Sequence, residues 1–219
     1  MAASRADARK ATELYRLDLP PAAAELMGSD LNPPPAPGDA RFAHNTVSII
    51  ASAALSLEAA AATARSEGLA AHILSDAIEG EARDVALVHA AMAREVAARN
   101  RPFAKPALIL SGGETTVTIR GDGKGGRNSE FLLSFALAID GVGGISALAA
   151  DTDGIDGMGD NAGAFADGTT ASRLRAKGLD PRAMLANNDA YTAFAAIGDL
   201  FAPGPTGTNV NDFRAIVVR

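Results

Sequence analysis

The 219-residue chain contains no cysteine and no tryptophan, and only 5% of it is aromatic. Without cysteine there is no disulfide framework, no thiolate metal site and no thiol nucleophile. Such a chain suits a reducing compartment, so a cytoplasmic location is expected. Basic residues are outnumbered by acidic ones, 20 against 26, for a net charge of −6. That balance leaves no basic face to attract nucleic acid or an anionic membrane. No apolar run approaches the roughly 18 residues of a membrane span. The opening MAASRADARKATELYRL lacks the continuous apolar stretch of a secretory leader. What the chain does have is abundant alanine, 22 glycines and 11 prolines, in a length sufficient for one large domain or two small ones.

Residues Arg5 to Leu17 have helix-forming composition. The following 28-GSDLNPPPAPGDARF-42 holds four prolines and two glycines, which exclude a helix or central strand and predict a linker. Residues 1–40 are therefore expected to be a helix and Pro-rich arm, and 41–219 the main domain. Beyond Thr46, strand-like and helix-like runs alternate. Strands are expected at Val47–Ala51, Ala70–Leu74, Pro106–Leu110, Thr115–Arg120 and Ile145–Ala150, then near Asp199–Ala202 and Phe213–Val218. Helices are expected at Leu55–Glu67, Glu81–Ala98 and Phe131–Ile139, then near Thr169–Lys177, Pro181–Asn187 and Asp189–Ile197. This alternation predicts a layered α/β fold, with a mixed, mostly parallel sheet and helices on both faces. The step through SGGET is too short for a crossover, so a hairpin or sharp corner is expected there.

Polar clusters fall at the ends of strand-like runs: 111-SGGETT-116, 151-DTDGIDG-157 and 204-GPTGTNVND-212. Ligands of open α/β sheets bind beyond strand ends, where loops diverge. Turn chemistry alone explains glycine, aspartate and asparagine there, but it does not require Glu114, Arg127 and Asn209 beside them. Gly121, Gly123 and Gly126 match G-x-G-x-x-G, a pattern with a high false-positive rate. Successive glycines can turn backbone N–H groups into an anion nest, with Lys124 as a mobile cation and Arg127 as a forked one. Asn128 is expected to cap the helix that follows, an entry too late for a dinucleotide fingerprint. Asp151 and Asp153 suit a divalent cation or a base for an alcohol proton, or simply Asx turns. The loop is not an EF-hand, because Asp156 and Ala162 stand where glycine and glutamate are needed. Glu114 suits metal binding or backbone capping. The hydroxyl and amide groups of Thr208, Asn209 and Asn211 suit a nucleotide or a self-bonded turn. His44, His72 and His89 share no spacing pattern and are expected to be structural or surface residues.

The runs LSGGETTVTIRGDGKGGRNSEFLL, ALAADTDGIDGMGDNAGA, NNDAY and GPTGTNVNDFRAI resemble the C-terminal MOFRL-type domain of the glycerate 2-kinase family, which also carries an older label, hydroxypyruvate reductase. The resemblance is dense from Pro106 to Val218 and looser from Val47 to Asn100. It implies transfer of the γ-phosphate of ATP to the 2-hydroxyl of D-glycerate with Mg²⁺, in a cleft between two domains. It also implies a missing N-terminal Rossmann-like domain, so that this chain is a C-terminal piece, expected to be inactive by itself. By the resemblance, Arg127 holds the acid's carboxylate or the moving phosphate, and Ser111–Glu114, Asp151–Asp153 and Asn209–Asp212 line the same cleft. Roles assigned by chemistry make Arg127, Asp151 and Asp153 catalytic. Ser111, Gly112, Gly113, Gly123, Lys124, Gly125, Gly126, Arg127, Asn128, Thr208, Asn209 and Asn211 would bind substrate or phosphate. Glu114, Asp151, Asp153 and Asp212 would bind metal. A reductase would need a catalytic acid, usually histidine, in the cleft, and no motif supplies one. Asp122 would also repel a cofactor pyrophosphate. An isolated ligand-binding domain is the third reading, and homo-oligomer formation is left open.

Overall fold

The computed structural model describes residues 4–29, 31, 33, 35–36 and 38–219. Asp30, Asn32, Pro34 and Pro37, within the expected linker, lie outside the described residues. Contacts divide the chain into units of residues 1–49 and 50–219, a later boundary than the one expected after residue 40. The first unit contains α1 (Arg5–Leu14), started by the Ser4 side chain, which accepts from the Asp7 amide. A helix that composition did not predict follows, α2 (Pro21–Gly28), with proline at its first position, where the missing N–H costs nothing. Neither helix has a buried residue.

The second unit is a seven-stranded sheet with helices on both faces, so the α/β class and the mixed sheet hold. Its elements are α3 (Ala53–Ser66), β1 (Ala70–Ile73), β2 (Ile78–Glu81), α4 (Ala82–Arg99), β3 (Ala107–Thr116), α5 (Arg127–Ala138), β4 (Ile145–Asp151), β5 (Gly163–Asp167), α6 (Thr170–Ala176), α7 (Pro181–Ala186), α8 (Ala190–Ile197), β6 (Leu200–Phe201) and β7 (Asp212–Val218). The strand order is β1-β3-β7-β4-β5-β6, with β2 also pairing β3. The balance of pairing differs from expectation: β1 and β2 run parallel to β3, while β3–β7, β7–β4, β4–β5 and β5–β6 are antiparallel. The reason is that β7 enters from the chain terminus between β3 and β4, against both.

Three further expectations are corrected. Val47–Ala51 forms no strand; it lies at the junction of the units with Val47 and Ile50 each at least 90% exposed. An apolar run signals a wish to be buried, but strand formation also needs a partner edge. SGGET is not a corner, because β3 passes straight through it. Its glycines allow close approach instead. A Cβ on Gly113, where φ is +120°, would stand 2.2 Å from the backbone of Ile78 in β2, and one on Gly112 3.2 Å from the Asp212 carbonyl. Finally, α5 begins at Arg127 with Gly126 as its N-cap, earlier than an Asn128 cap would allow.

Side chains alternate across the sheet, as strand geometry demands. Ala107 and Ile109 of β3 and Ile216 and Val218 of β7 pack under α4 and α5, while Leu108 and Leu110 pack against Leu57 and Ala61 of α3.

Candidate active site

The register beneath α5 sets the site. Ala107–Val218–Ile145 and Ile109–Ile216–Ala147 form apolar rows across β3, β7 and β4; Ser111–Arg214–Ala149 follows, and Gly113–Asp212–Asp151 is the last row these three strands share. Polarity thus rises step by step toward one rim, where β3 and β4 end and β7 begins. Arg127, the first residue of α5, stands over that last row. Its Nε donates to Asp212 Oδ1 at 2.7 Å, its Nη2 to Asp151 Oδ2, and its Nη1 lies 3.9 Å from Glu114. The Arg127 side chain remains 24% exposed, so part of it faces solvent.

Asp212 is fully engaged. Oδ1 also accepts from Asn128 Nδ2 at 2.8 Å, and Oδ2 accepts from Arg214 Nη2 at 2.6 Å and from the amide and hydroxyl of Thr115. Expected among the metal ligands, it organises the protein's own donors instead. Arg214 is 1% exposed and lies 5.2 Å from the Phe131 ring centroid, and burial lowers its pKa. Asp151 is different. Its side chain is 4% exposed, and burial pushes its pKa up to about 6, with Asp153 and Asp212 adding and the Asp153 amide and Arg127 opposing. For Arg127, burial lowers the pKa, but the bond to Asp212 and the charges of Asp151 and Glu114 outweigh it, so the group is raised.

The glycine loop is well formed, but not as a bare nest. The amides of Arg120 and Gly121 bond to Asn188 Oδ1, that of Asp122 to Asn187 Oδ1, that of Gly123 to the Asn187 carbonyl, and that of Lys124 to Asp189 Oδ1. The expected anion nest therefore turns most of its donors onto the segment before α8. The N-terminus of α5 is likewise taken, by Asp156. That carboxylate accepts from the amides of Asn128 at 3.0 Å and Ser129 at 2.8 Å, and from the Ser129 hydroxyl. What the loop does offer to solvent is Lys124, whose Nζ sits 3.6 Å over the Tyr191 ring. A groove of about 370 Å³ runs beside it, lined by Lys124, Gly125, Gly126, Arg127 and Met158 among others.

Of the other expected residues, Ser111 is 1% exposed and bonded to His89 Nε2 at 3.0 Å, so the structure places it in the core rather than at the rim. Gly112 and Gly113 are strand interior. Asp153 forms an Asx turn to the Ile155 amide at 2.8 Å and meets Asn209 Nδ2 at 3.3 Å. Thr152 and Asn211 are joined by two bonds, so the 151–154 and 204–211 loops close on each other. Thr208, Asn209 and Asn211 remain exposed on this lip. Among the described residues no three acidic or histidine side chains gather as a ready metal cluster. The histidines are structural where their contacts are defined: His89 is buried, and His72 stacks on Phe103 at 4.0 Å. Sequence reasoning passed over Asp156, Asn188 and Arg214. Asp156 and Asn188 carried only turn signals, and their side-chain bonding partners lie 27 or more positions away.

This is an α/β domain whose sheet ends in an arginine–carboxylate rim beside a glycine loop and a lysine. Its residues 107–212 match the MOFRL family. Over 97% of its length it is 50% identical to an Agrobacterium vitis protein provisionally named hydroxypyruvate reductase, of which it covers 54%. It is 46% identical to the D-glycerate 2-kinase of Thermotoga maritima over 68% of this chain and 36% of that one. A crystal structure of glycerate kinase from Thermotoga maritima superimposes on all of the chain, covering 51% of that protein, with a TM-score of 0.87 and 35% identity. The chain thus spans about half the length of these two full-length relatives. No helix among the described residues is long and apolar enough to cross a membrane.

Proposed function

We propose that the chain is the part of an ATP-dependent glycerate 2-kinase that holds the small acid and the transferring phosphate. The observation that carries this reading is the Arg127 fork, fixed by Asp151 and Asp212 yet partly exposed to solvent, next to Lys124. Phosphoryl transfer depends chiefly on positioning and charge neutralisation, and a planar fork matches a carboxylate or phosphate edge. In the reaction, the glycerate 2-oxygen forms a bond to the γ-phosphorus, the bond from that phosphorus to the β-γ bridging oxygen breaks, and ADP leaves. Asp151 takes the hydroxyl proton, a role suited to a carboxylate with a pKa near 6; Arg127 and Lys124 orient the anions.

Arg127 is already matched by carboxylates, so the phosphates need further positive charge. Mg²⁺ is commonly held by one or two carboxylates plus phosphate oxygens and waters. Asp153 and the 59%-exposed Glu114 fit that donor set and leave Asp151 free as the base, whereas Asp212 has no free oxygen to give. When bound, the ion supplies charge neutralisation at the β- and γ-phosphates. Contacts to the rest of the nucleotide are assigned to the half of the relatives' length that this chain does not span. The reductase reading is weaker, because His89 is tied up in the core under Ser111.

A coupled assay with glycerate, ATP and Mg²⁺, beside hydroxypyruvate with NADH, tests the reading on the chain and on a fusion restoring its relatives' length. The fusion should form 2-phosphoglycerate, and the chain alone should stay below about 1 s⁻¹, the low end of ordinary kinase rates. NADH oxidation without phosphoglycerate would overturn it.

A further inference from the structure

We infer that Asn188 is a positioning residue that couples the loop carrying Lys124 to the helix carrying Arg127, and so sets the spacing of the two cations offered to a phosphorylated ligand. The inference rests on the phosphoryl-transfer reading above. A side-chain amide has two donor hydrogens and two acceptor lone pairs, and here all four are used. Oδ1 accepts from the Arg120 amide at 2.8 Å and the Gly121 amide at 3.1 Å; Nδ2 donates to Glu130 Oε2 at 2.8 Å and the Thr118 carbonyl at 3.3 Å. Asn188 is 7% exposed and its φ is +55°, a left-handed conformation that asparagine tolerates better than most residues.

Glu130 lies one turn along α5 from Arg127. It is 2% exposed, and its other oxygen accepts from Arg83 Nε at 2.8 Å. A buried carboxylate must keep its partners, so Arg83 on one side and Asn188 on the other fix the first turn of α5. The loop side is fixed by the same stretch of chain, since Asp189 holds the Lys124 amide at 2.9 Å and the Tyr191 amide donates to the Lys124 carbonyl at 2.9 Å. Covalent connection alone would not hold the spacing, because Gly125 and Gly126 intervene and glycine is the most permissive of backbones. Crowding reinforces the template: a Cβ on Gly121 or Gly123 would stand 2.2 or 2.4 Å from Asn187 or Asp189.

Asn188→Asp tests this. The new carboxylate still accepts from the loop amides and tolerates the left-handed backbone, but it meets Glu130 with like charge. Adding Glu130→Gln places a donor amide opposite it and leaves an oxygen for Arg83. Pyrophosphate binding with Mg²⁺ is measured by calorimetry on the 219-residue chain, with amide hydrogen exchange at Arg120 and Gly121. Asn188→Asp should weaken pyrophosphate binding about tenfold, the loss of one good hydrogen bond, and the double variant should recover it. Should Asn188→Asp not fold, Asn188→Gly keeps the backbone conformation and carries the same expectation of loss. Faster exchange with unchanged pyrophosphate affinity would reduce Asn188 to a structural residue and overturn the inference, as would a loss that Glu130→Gln fails to recover. Absence of pyrophosphate binding by the wild-type chain would overturn the phosphate reading and the inference with it.

Discussion

Arg127 illustrates how one side chain divides its work. Its Nε and Nη2 face Asp212 and Asp151, while Nη1 lies 3.9 Å from the exposed Glu114. A lysine keeps the charge but cannot bridge both carboxylates and still present an edge. In the length-restored fusion, Arg127→Lys should therefore lower kcat as well as kcat/KM, the latter about 10- to 150-fold for one lost charge-assisted bond. A raised KM with kcat intact would confine Arg127 to binding ground-state acid. Asp151 makes a pH-dependent prediction. Its folded pKa of about 6 lies above its ordinary 3.8, so the folded state holds the proton more tightly than the unfolded one. The stability this contributes is complete below the unfolded value and is lost as the pH rises through about 6. Urea titrations of wild type and Asp151→Asn should accordingly diverge in the variant's favour between about pH 4 and 6.5. Parallel curves would mean that Arg127 keeps Asp151 ionised throughout. Catalysis runs the other way: the base form accumulates above pH 6, so the rate should rise there.

At the scale of the element, α5 shows which signals a sequence carries and which it hides. Its apolar run Phe131–Ile139 is legible because Phe131, Leu132 and Phe135 are all fully buried, but its start is not. The cap comes from Asp156, a residue read only as a turn former, which is supplied by another loop and accepts from two α5 amides and a hydroxyl. Asp156→Ala should destabilise the fold by about 2 kcal/mol or more, the upper range for a lost cap, since buried donors are left unpaired. A urea midpoint within error of wild type would refute that assignment. The glycines of β3 were misread for a related reason. In isolation Gly112–Gly113 looks like a breaker, whereas in the sheet the pair makes room for β2 and for the β7 backbone.

For the whole molecule, the two units behave differently under a protease. The 70%-exposed side chain of Arg41 lies in a unit whose helices bury nothing, while residues 106–218 are tied into the sheet and its helices. Trypsin should cut after Arg41 before it cuts anywhere in 106–218, followed on gels by mass spectrometry; earlier cuts within 106–218 would contradict the division. Local pattern alone determined the α/β class, most helices, and a polar rim built from the clusters at Glu114, Arg127, Asp151 and Asn209, because periodicity and breaker residues act over a few positions. Tertiary structure decided the rest. The antiparallel entry of β7 brings Asp212 level with Asp151 and Gly113, and the stretch before α8 occupies the amides that a glycine loop would otherwise turn to a ligand. Both depend on hydrogen-bond partners that lie about 60 to 100 positions apart in the chain. No local pattern encodes such a pairing, since it is the closing of the sheet that selects which donors and acceptors meet.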